Sequence, residues 1–247
     1  MRRDLGVIAD MVPPGARVLD LGCGDGALLE ELIRRRGCQG QGVEVSADAF
    51  HACVARGIPV VAADIDEGLP DFTDGSFDVV VLSLTLQATR RPALVLREMM
   101  RVADTGIVSF INYGHVSLRL HLLLRGRVPI PQHAAERWFE TPNIHPCSIR
   151  DFEALVRAEG LETAPPVILA ADGSLARGLA VRRPNAFARA AAYVVRRAPA
   201  RGGGGGARRR APPPPPPPRP PGSRGSGSPC RPSPSSRTPE RGERRPP

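Results

Sequence analysis

The most constraining feature of the chain is a short β-branched and leucine run, Arg17 to Leu21, that passes through Asp20-Leu21-Gly22-Cys23-Gly24-Asp25-Gly26 into a helical stretch, Ala27 to Arg36. Leu28, Leu29, Leu32 and Ile33 share one face of that helix. The strand, glycine turn and helix repeat in weaker form downstream. Gly42 to Val45 reads as a second strand, Ala47 to Arg56 as a helix and Val60 to Ala63 as a third strand. Phe77 to Leu84 is a continuous apolar run after the turn signal of Asp71 to Ser76, the pattern of a strand buried on both faces. Helix Pro92 to Val102, with proline at its first turn, and strand Ile107 to Ile111 follow. Alternation at this spacing predicts an α/β fold with a Rossmann-like, doubly wound, mostly parallel sheet. Val116 to Leu124 and Ile149 to Glu159 read as further helices, and Val167 to Ala170 with Ala191 to Val195 as two last strands forming an antiparallel edge.

Composition limits how much of the chain this fold takes up. Arg201 to Pro247 holds a five-glycine run, an arginine triplet and seven consecutive prolines, with almost nothing apolar to bury. The expected division is a folded domain over 1–197 and a disordered Pro/Gly/Arg-rich tail over 198–247. All 34 basic residues are arginine, as expected of a very GC-rich gene. The segment after Ala200 therefore fits a frameshifted or extended reading frame first and a genuine disordered tail second. Its charge also explains the net +9 of the chain. Residues 1–180 carry 18 Arg against 23 Asp and Glu, whereas 181–247 carry 16 Arg against 2 Glu. The domain has no strong electrostatic reason to seek nucleic acid. Five cysteines, Cys23, Cys38, Cys53, Cys147 and Cys230, are odd in number and form no CxxC pair, which argues against a disulfide framework or a zinc site. No run approaches the ~18 apolar residues of a membrane span. A soluble, cytoplasmic protein with no membrane partner is expected.

The glycine loop allows two ligands. Gly22-x-Gly24-x-x-Ala27, with Glu44 twenty positions after Gly24, satisfies the dinucleotide fingerprint as well as a loop for S-adenosylmethionine. The acidic residues favour the second. Asp20 and Asp25 place carboxylates around the loop, where they suit a cationic methionine moiety and repel a pyrophosphate. Glu44 ends the second strand, where it can accept from ribose hydroxyls. Asp64 ends the third, where it can accept from an adenine amino group. Singly, Asp20 reads equally well as a helix cap, Glu44 as a solvated strand end and Asp64 as a turn former. Together they line the edge where open α/β sheets bind ligands. The expected cofactor-binding set is Asp20, Gly22, Cys23, Gly24, Glu44, Val45, Asp64, Ile65 and Ser83, for S-adenosylmethionine or S-adenosylhomocysteine.

The runs Val18-Leu-Asp-Leu-Gly-Cys-Gly-Asp-Gly26, Thr85-Leu-Gln-Ala-Thr-Arg-Arg-Pro92, Leu96-Arg-Glu-Met-Met-Arg-Val102, Leu122-Leu-Leu-Arg-Gly-Arg127 and Thr141-Pro-Asn-Ile-His145 resemble the MetW methionine biosynthesis proteins. The resemblance spans about residues 2–197 and ends with the segment Asn185 to Arg197. It implies a class I methyltransferase fold, a role in bacterial methionine synthesis, and a homoserine O-acyltransferase as partner. An active small-molecule methyltransferase is the alternative, and a nicotinamide-dependent oxidoreductase the second. Leu84, Ile111 and Val116 depart from the family pattern, which has Gln, Pro and Trp there. These changes lie beside the expected acceptor pocket.

No catalytic residue stands out, because methyl transfer from a sulfonium chiefly requires alignment of the acceptor. His115 and His145 are better read as structural hydrogen-bonders than as general bases, since neither has a partner carboxylate in sequence reach. Cys23 lies near a helix N-terminus that would lower its pKa, yet its place in the loop suggests backbone contact. No metal-ligand spacing occurs. The leucine-rich segment Ser117 to Arg127 reads first as a core helix, then as a lid or a partner-docking helix.

Overall fold

The computed structural model describes residues 3–129 and 141–198, both within one compact unit, Met1–Ala211. The Pro/Gly/Arg-rich tail lies outside the described residues. Strands β1 (Arg17–Leu21), β2 (Gln39–Glu44), β3 (Val60–Ala62), β4 (Phe77–Ser83) and β5 (Ala103–Ile111) run parallel. Strands β6 (Leu161–Thr163) and β7 (Val167–Leu169) both pair antiparallel with β8 (Ala190–Arg197), and β8 pairs antiparallel with β5. The strand order is β3-β2-β1-β4-β5-β8-β6, with β7 also on β8. The expected antiparallel edge is present, but β8 lies inside the sheet and the edge is split between β6 and β7. No helix among the described residues is long and apolar enough to cross a membrane.

Alternation along the strands sends side chains to two cores, one on each face. Leu19, Leu21, Val80, Leu82, Val108 and Phe110 pack on one face with helices α4 (Pro92–Val102) and α6 (Ile149–Ala158). Val18, Val79, Val81 and Ile107 pack on the other with α1 (Arg3–Met11) and α2 (Ala27–Arg36). Helix α3 (Ala47–Ala55) brings Cys53 against Cys23 and Leu29 in a smaller cluster. The sequence reading missed α1. Its signal was present in Leu5, Ile8, Ala9 and Val12, a helical spacing of buried apolar residues.

Sheet order positions the site. The chain runs β1, β2, β3 in one direction, then returns through β4 to the other side of β1, so the order switches between β1 and β4. Ligand crevices form outside the carboxyl ends of strands at such a point. Asp20 is in register with Val81, and the glycine loop leaves β1 beside the end of β4.

A buried carboxylate secures the turn into α4. Asp66, in the turn Ile65–Glu67, accepts from the Arg90 and Arg91 backbone N–H groups at 2.9 and 2.8 Å and from the Arg90 guanidinium. Arg91, the N-cap residue of α4, supplies no side-chain cap of its own, so Asp66 takes that role. Burial works to raise the Asp66 carboxyl, but the two N–H groups and the guanidinium outweigh it and hold it below the ordinary range. The stabilisation is therefore complete above the unfolded value of about 4 and is lost as pH falls through the lower folded value. Asp66→Asn should remove that part of the acid-unfolding profile and cost about 1–3 kcal/mol at neutral pH in urea titrations.

Candidate functional site

The glycine loop is fixed from β2. The N–H groups of Gly22 and Cys23 both donate to the Val43 carbonyl, at 2.8 and 3.2 Å. Gly24 N–H donates to Glu44 Oε2 at 2.8 Å, while Glu44 Oε1 accepts from Val45 and Ser46 N–H at 3.0 and 2.9 Å. Gly22 has a left-handed φ of 69°, and a Cβ there would lie 2.5 Å from Thr85 Cγ2, so the loop needs glycine on both conformational and steric grounds. Gly24, with φ 58° and open space around it, needs glycine for its backbone alone.

A cleft of about 880 Å3 opens at this edge. Of the expected residues, Asp20, Gly22, Cys23, Gly24 and Ser83 line it, joined by Leu5 of α1, which the sequence reading had not placed there. Asp20 is 2% exposed, a buried carboxylate at the end of the central strand. Glu44 lies buried behind the loop, and Val45 is exposed beside it. A carboxylate has about four acceptor positions, so its three backbone donors leave Glu44 room for about one further hydroxyl. Asp64 caps the turn Ile65–Glu67, accepting from Asp66 N–H at 2.9 Å and from Arg90 at 2.7 Å. Ile65 packs against the main core. Asp64 is thus held in a separate polar cluster and Ile65 against the core, and neither lines this cleft. Asp25 does line it, but it pairs with Arg56 at 2.7 Å and accepts Ala27 N–H, so it acts as a helix-end cap with its charge compensated.

The lowered pKa expected for Cys23 from the helix terminus is reversed, while its place under the loop agrees with a packing role. Burial, then the charge of Asp20, then Cys53 and Glu44 push its thiol far above the ordinary range. Cys53 donates to the Gly24 carbonyl at 3.1 Å, and the two sulfurs lie 3.7 Å apart. These thiols pack the underside of the loop. Among the described residues, no group of three His, Cys, Asp or Glu side chains could hold a metal ion.

A second cavity of about 750 Å3 lies at the ends of β4 and β5. Leu84 and Ile111, two of the positions that depart from the family pattern, line it together with His115. His115 Nδ1 accepts from Ser117 N–H at 3.1 Å, capping the helix that follows. Burial and the charge of Arg189 lower its pKa, which favours the neutral ring. It is a structural histidine, as the sequence suggests. His145 is exposed and lines neither cavity. Helix α5 (Val116–Arg125) corrects the core reading of the leucine segment. None of its residues is buried, and Leu123 and Leu124 are each 78% exposed. A leucine run sets apolarity without saying that anything covers it.

The switch-point cleft over a mostly parallel sheet with an inserted antiparallel strand defines the class I methyltransferase fold. A SAM-dependent methyltransferase of Thermotoga maritima superposes with a TM-score of 0.56 at 18% identity, covering 79% of this chain and 88% of that one. The [4+2]-cyclase SpnF does so with a TM-score of 0.56 at 17% identity, covering 79% and 81%. The chain belongs to the methionine biosynthesis protein MetW family, whose family model matches residues 2–195. A bifunctional methionine biosynthesis protein MetXA/MetW of Rhodopirellula baltica is 39% identical over 158 residues, 60% of this chain and 25% of that protein. The chain spans between a quarter and a half of the length of the curated relatives it matches.

Gly22→Ala should destabilise the protein by about 1–3 kcal/mol through its left-handed backbone. Trimming the facing residue as well, in Gly22→Ala with Thr85→Ala, should recover only the steric share. Full recovery in a chemical denaturation cycle would contradict the conformational part of this account.

Proposed function

We propose that this MetW family member binds S-adenosylmethionine, or its demethylated product S-adenosylhomocysteine, in the switch-point cleft and acts with a homoserine O-acyltransferase in methionine synthesis. The observation that carries the ligand assignment is the buried Asp20 carboxylate beside a loop in which five N–H groups, those of Gly22, Cys23, Gly24, Gly26 and Ala27, are already engaged. Gly22 and Cys23 donate to Val43, Gly24 to Glu44 and Ala27 to Asp25. A dinucleotide pyrophosphate needs such groups turned toward it. A unit charge about 4 Å from an uncompensated carboxylate gains or loses roughly 4 kcal/mol at an effective dielectric of about 20; Asp20 has an interaction of its own, so this is an upper bound, and its sign favours a cation over a phosphate. Asp20 would hold the methionine end, Gly22 to Gly24 would give close backbone approach, and Glu44 would accept one ribose hydroxyl. Asp64 would reach the adenine only by giving up part of its bond to Arg90. Bound S-adenosylmethionine supplies an electrophilic methyl group on a sulfonium.

The relative that joins MetXA and MetW in one polypeptide supports the partnership. Exposed apolar side chains on α5 give it a surface, since Leu123 and Leu124 are uncovered in the isolated chain. The end product of the pathway is the precursor of the bound ligand, so feedback sensing follows naturally. Methyl transfer to a small molecule is the second reading, favoured by the cavity that opens at Leu84, one residue beyond Ser83 of the cleft.

Calorimetry should show S-adenosylhomocysteine binding and no NAD binding, with Asp20→Asn losing about 1.5–3 kcal/mol. The acyltransferase should co-purify with the wild-type chain and be lost with Leu123→Asp plus Leu124→Asp at unchanged melting temperature. NAD binding would overturn the ligand assignment, and no complex and no change in acyltransferase rate would overturn the partnership. Turnover of labelled methyl groups into metabolite extracts would shift the conclusion to the second reading.

A further inference from the structure

We propose that the second cavity is a binding site for a small monocarboxylate with an apolar body, anchored by the guanidinium of Arg189. Most of its wall is apolar, with Leu84, Ile111, Leu118, Leu169 and Ala190 contributing. Four charged side chains also line it, and three have partners within the protein. Arg3 pairs with Asp172 at 2.7 Å, and Asp172 also accepts from Ser174 N–H and Oγ. Asp4 has an interaction of its own. Arg189 differs. It is half-buried, its one side-chain hydrogen bond is to Ser117 Oγ at 3.2 Å, and among the described residues it has no ion-pair partner. Most of its N–H donors therefore lack an acceptor among the described residues, in a setting where a planar two-oxygen acceptor is the matching group.

The position of Arg189 is built. Its carbonyl accepts Asn112 N–H at 2.9 Å. Fully buried Asn112 also donates through Nδ2 to the carbonyls of Pro184, Asn185 and Ala188, at 3.3, 3.2 and 2.9 Å, so the segment before Arg189 is tied to the end of β5. The first turn of α5 reaches the same point at Ser117 and adds the positive end of its dipole. Neutral His115 adds no competing charge. Of the two guanidiniums that line the cavity, Arg3 is paired with Asp172, and the one left for a ligand fits a monoanion better than a phosphate, which calls for several donors.

Leu84 marks where this cavity meets the first cleft. It is the one non-glycine residue with a left-handed backbone among those described, φ 58°, held by N–H donation to Ser109. Ser83 lines one space and Leu84 the other, with their Cα atoms about 3.8 Å apart. A carboxylate ligand would thus sit beside the occupant of the cleft. The assignment stands on the cavity alone and does not require that occupant to be S-adenosylmethionine.

The test titrates the full chain with hexanoate and benzoate, using hexanamide and benzamide as uncharged matches, and follows calorimetry or ligand-observed NMR. The acids should bind saturably, with the amides weaker by about tenfold or more. Arg189→Gln should abolish the preference and Arg189→Lys should retain part of it. Equal binding of acid and amide, no saturable binding of the acids at millimolar concentration, or a preference that survives Arg189→Gln would each overturn the proposal. The wild-type acid and amide comparison decides the matter even if a variant folds poorly. A parallel S-adenosylhomocysteine titration reports separately on the first cleft.

Discussion

One carboxylate organises the ligand edge of this protein. Glu44 takes the Gly24 N–H on one oxygen and the N–H groups of Val45 and Ser46 on the other, binding the loop after β1 to the turn after β2. A loop of left-handed glycines has few conformational preferences of its own, so its shape must come from outside. Glu44 and the Val43 carbonyl supply it. With the loop so fixed, Thr85 closes against Gly22, Cys53 caps the Gly24 carbonyl, and Asp20 is enclosed at the end of β1. An acidic side chain that sequence reading assigns to a ligand is first a part of the scaffold, with one acceptor position left for anything else.

Much of the architecture is legible because local signals and burial agree. Arg17–Leu21, Ala27–Arg36 and Pro92–Val102 coincide with their sequence expectations, each bounded by a glycine turn or a proline at the first helical turn. Strand β5 begins four residues before its apolar run, at Ala103. There Gly106 leaves room for Met100, whose Cε would lie 2.7 Å from a Cβ, and the strand signal is sacrificed to packing. The three-residue β6 exists by pairing with β8 rather than by propensity.

The site divides in the same way. Asp20 and the loop glycines can be found from spacing, because the backbone demands glycine wherever φ is positive. Asp25 and Asp64 show the limit of counting carboxylates. Spacing places them at the ligand edge, while Arg56 and Arg90, 31 and 26 residues later, decide what their charges meet. Leu84 carries no sign of its left-handed backbone, and Arg189 lies far from β4 in sequence, so the second cavity emerges only when the sheet is assembled. Fold alone does not fix chemistry. A guanidinium without an ion-pair partner among the described residues, and a histidine turned to capping a helix, say more about the second cavity than the topology does.

The place of β8 has a consequence for how the protein is made. The strand that pairs with β5 and carries both β6 and β7 is the last of the eight to leave the ribosome. Until Ala190–Arg197 emerges, the growing chain presents the naked backbone of β5 and two short strands with nowhere to dock. Asn112 waits likewise for the carbonyls of 184–188. A translational error upstream of these residues leaves an adhesive fragment for the quality-control machinery, whereas one downstream of residue 198 leaves every strand of the sheet in the chain.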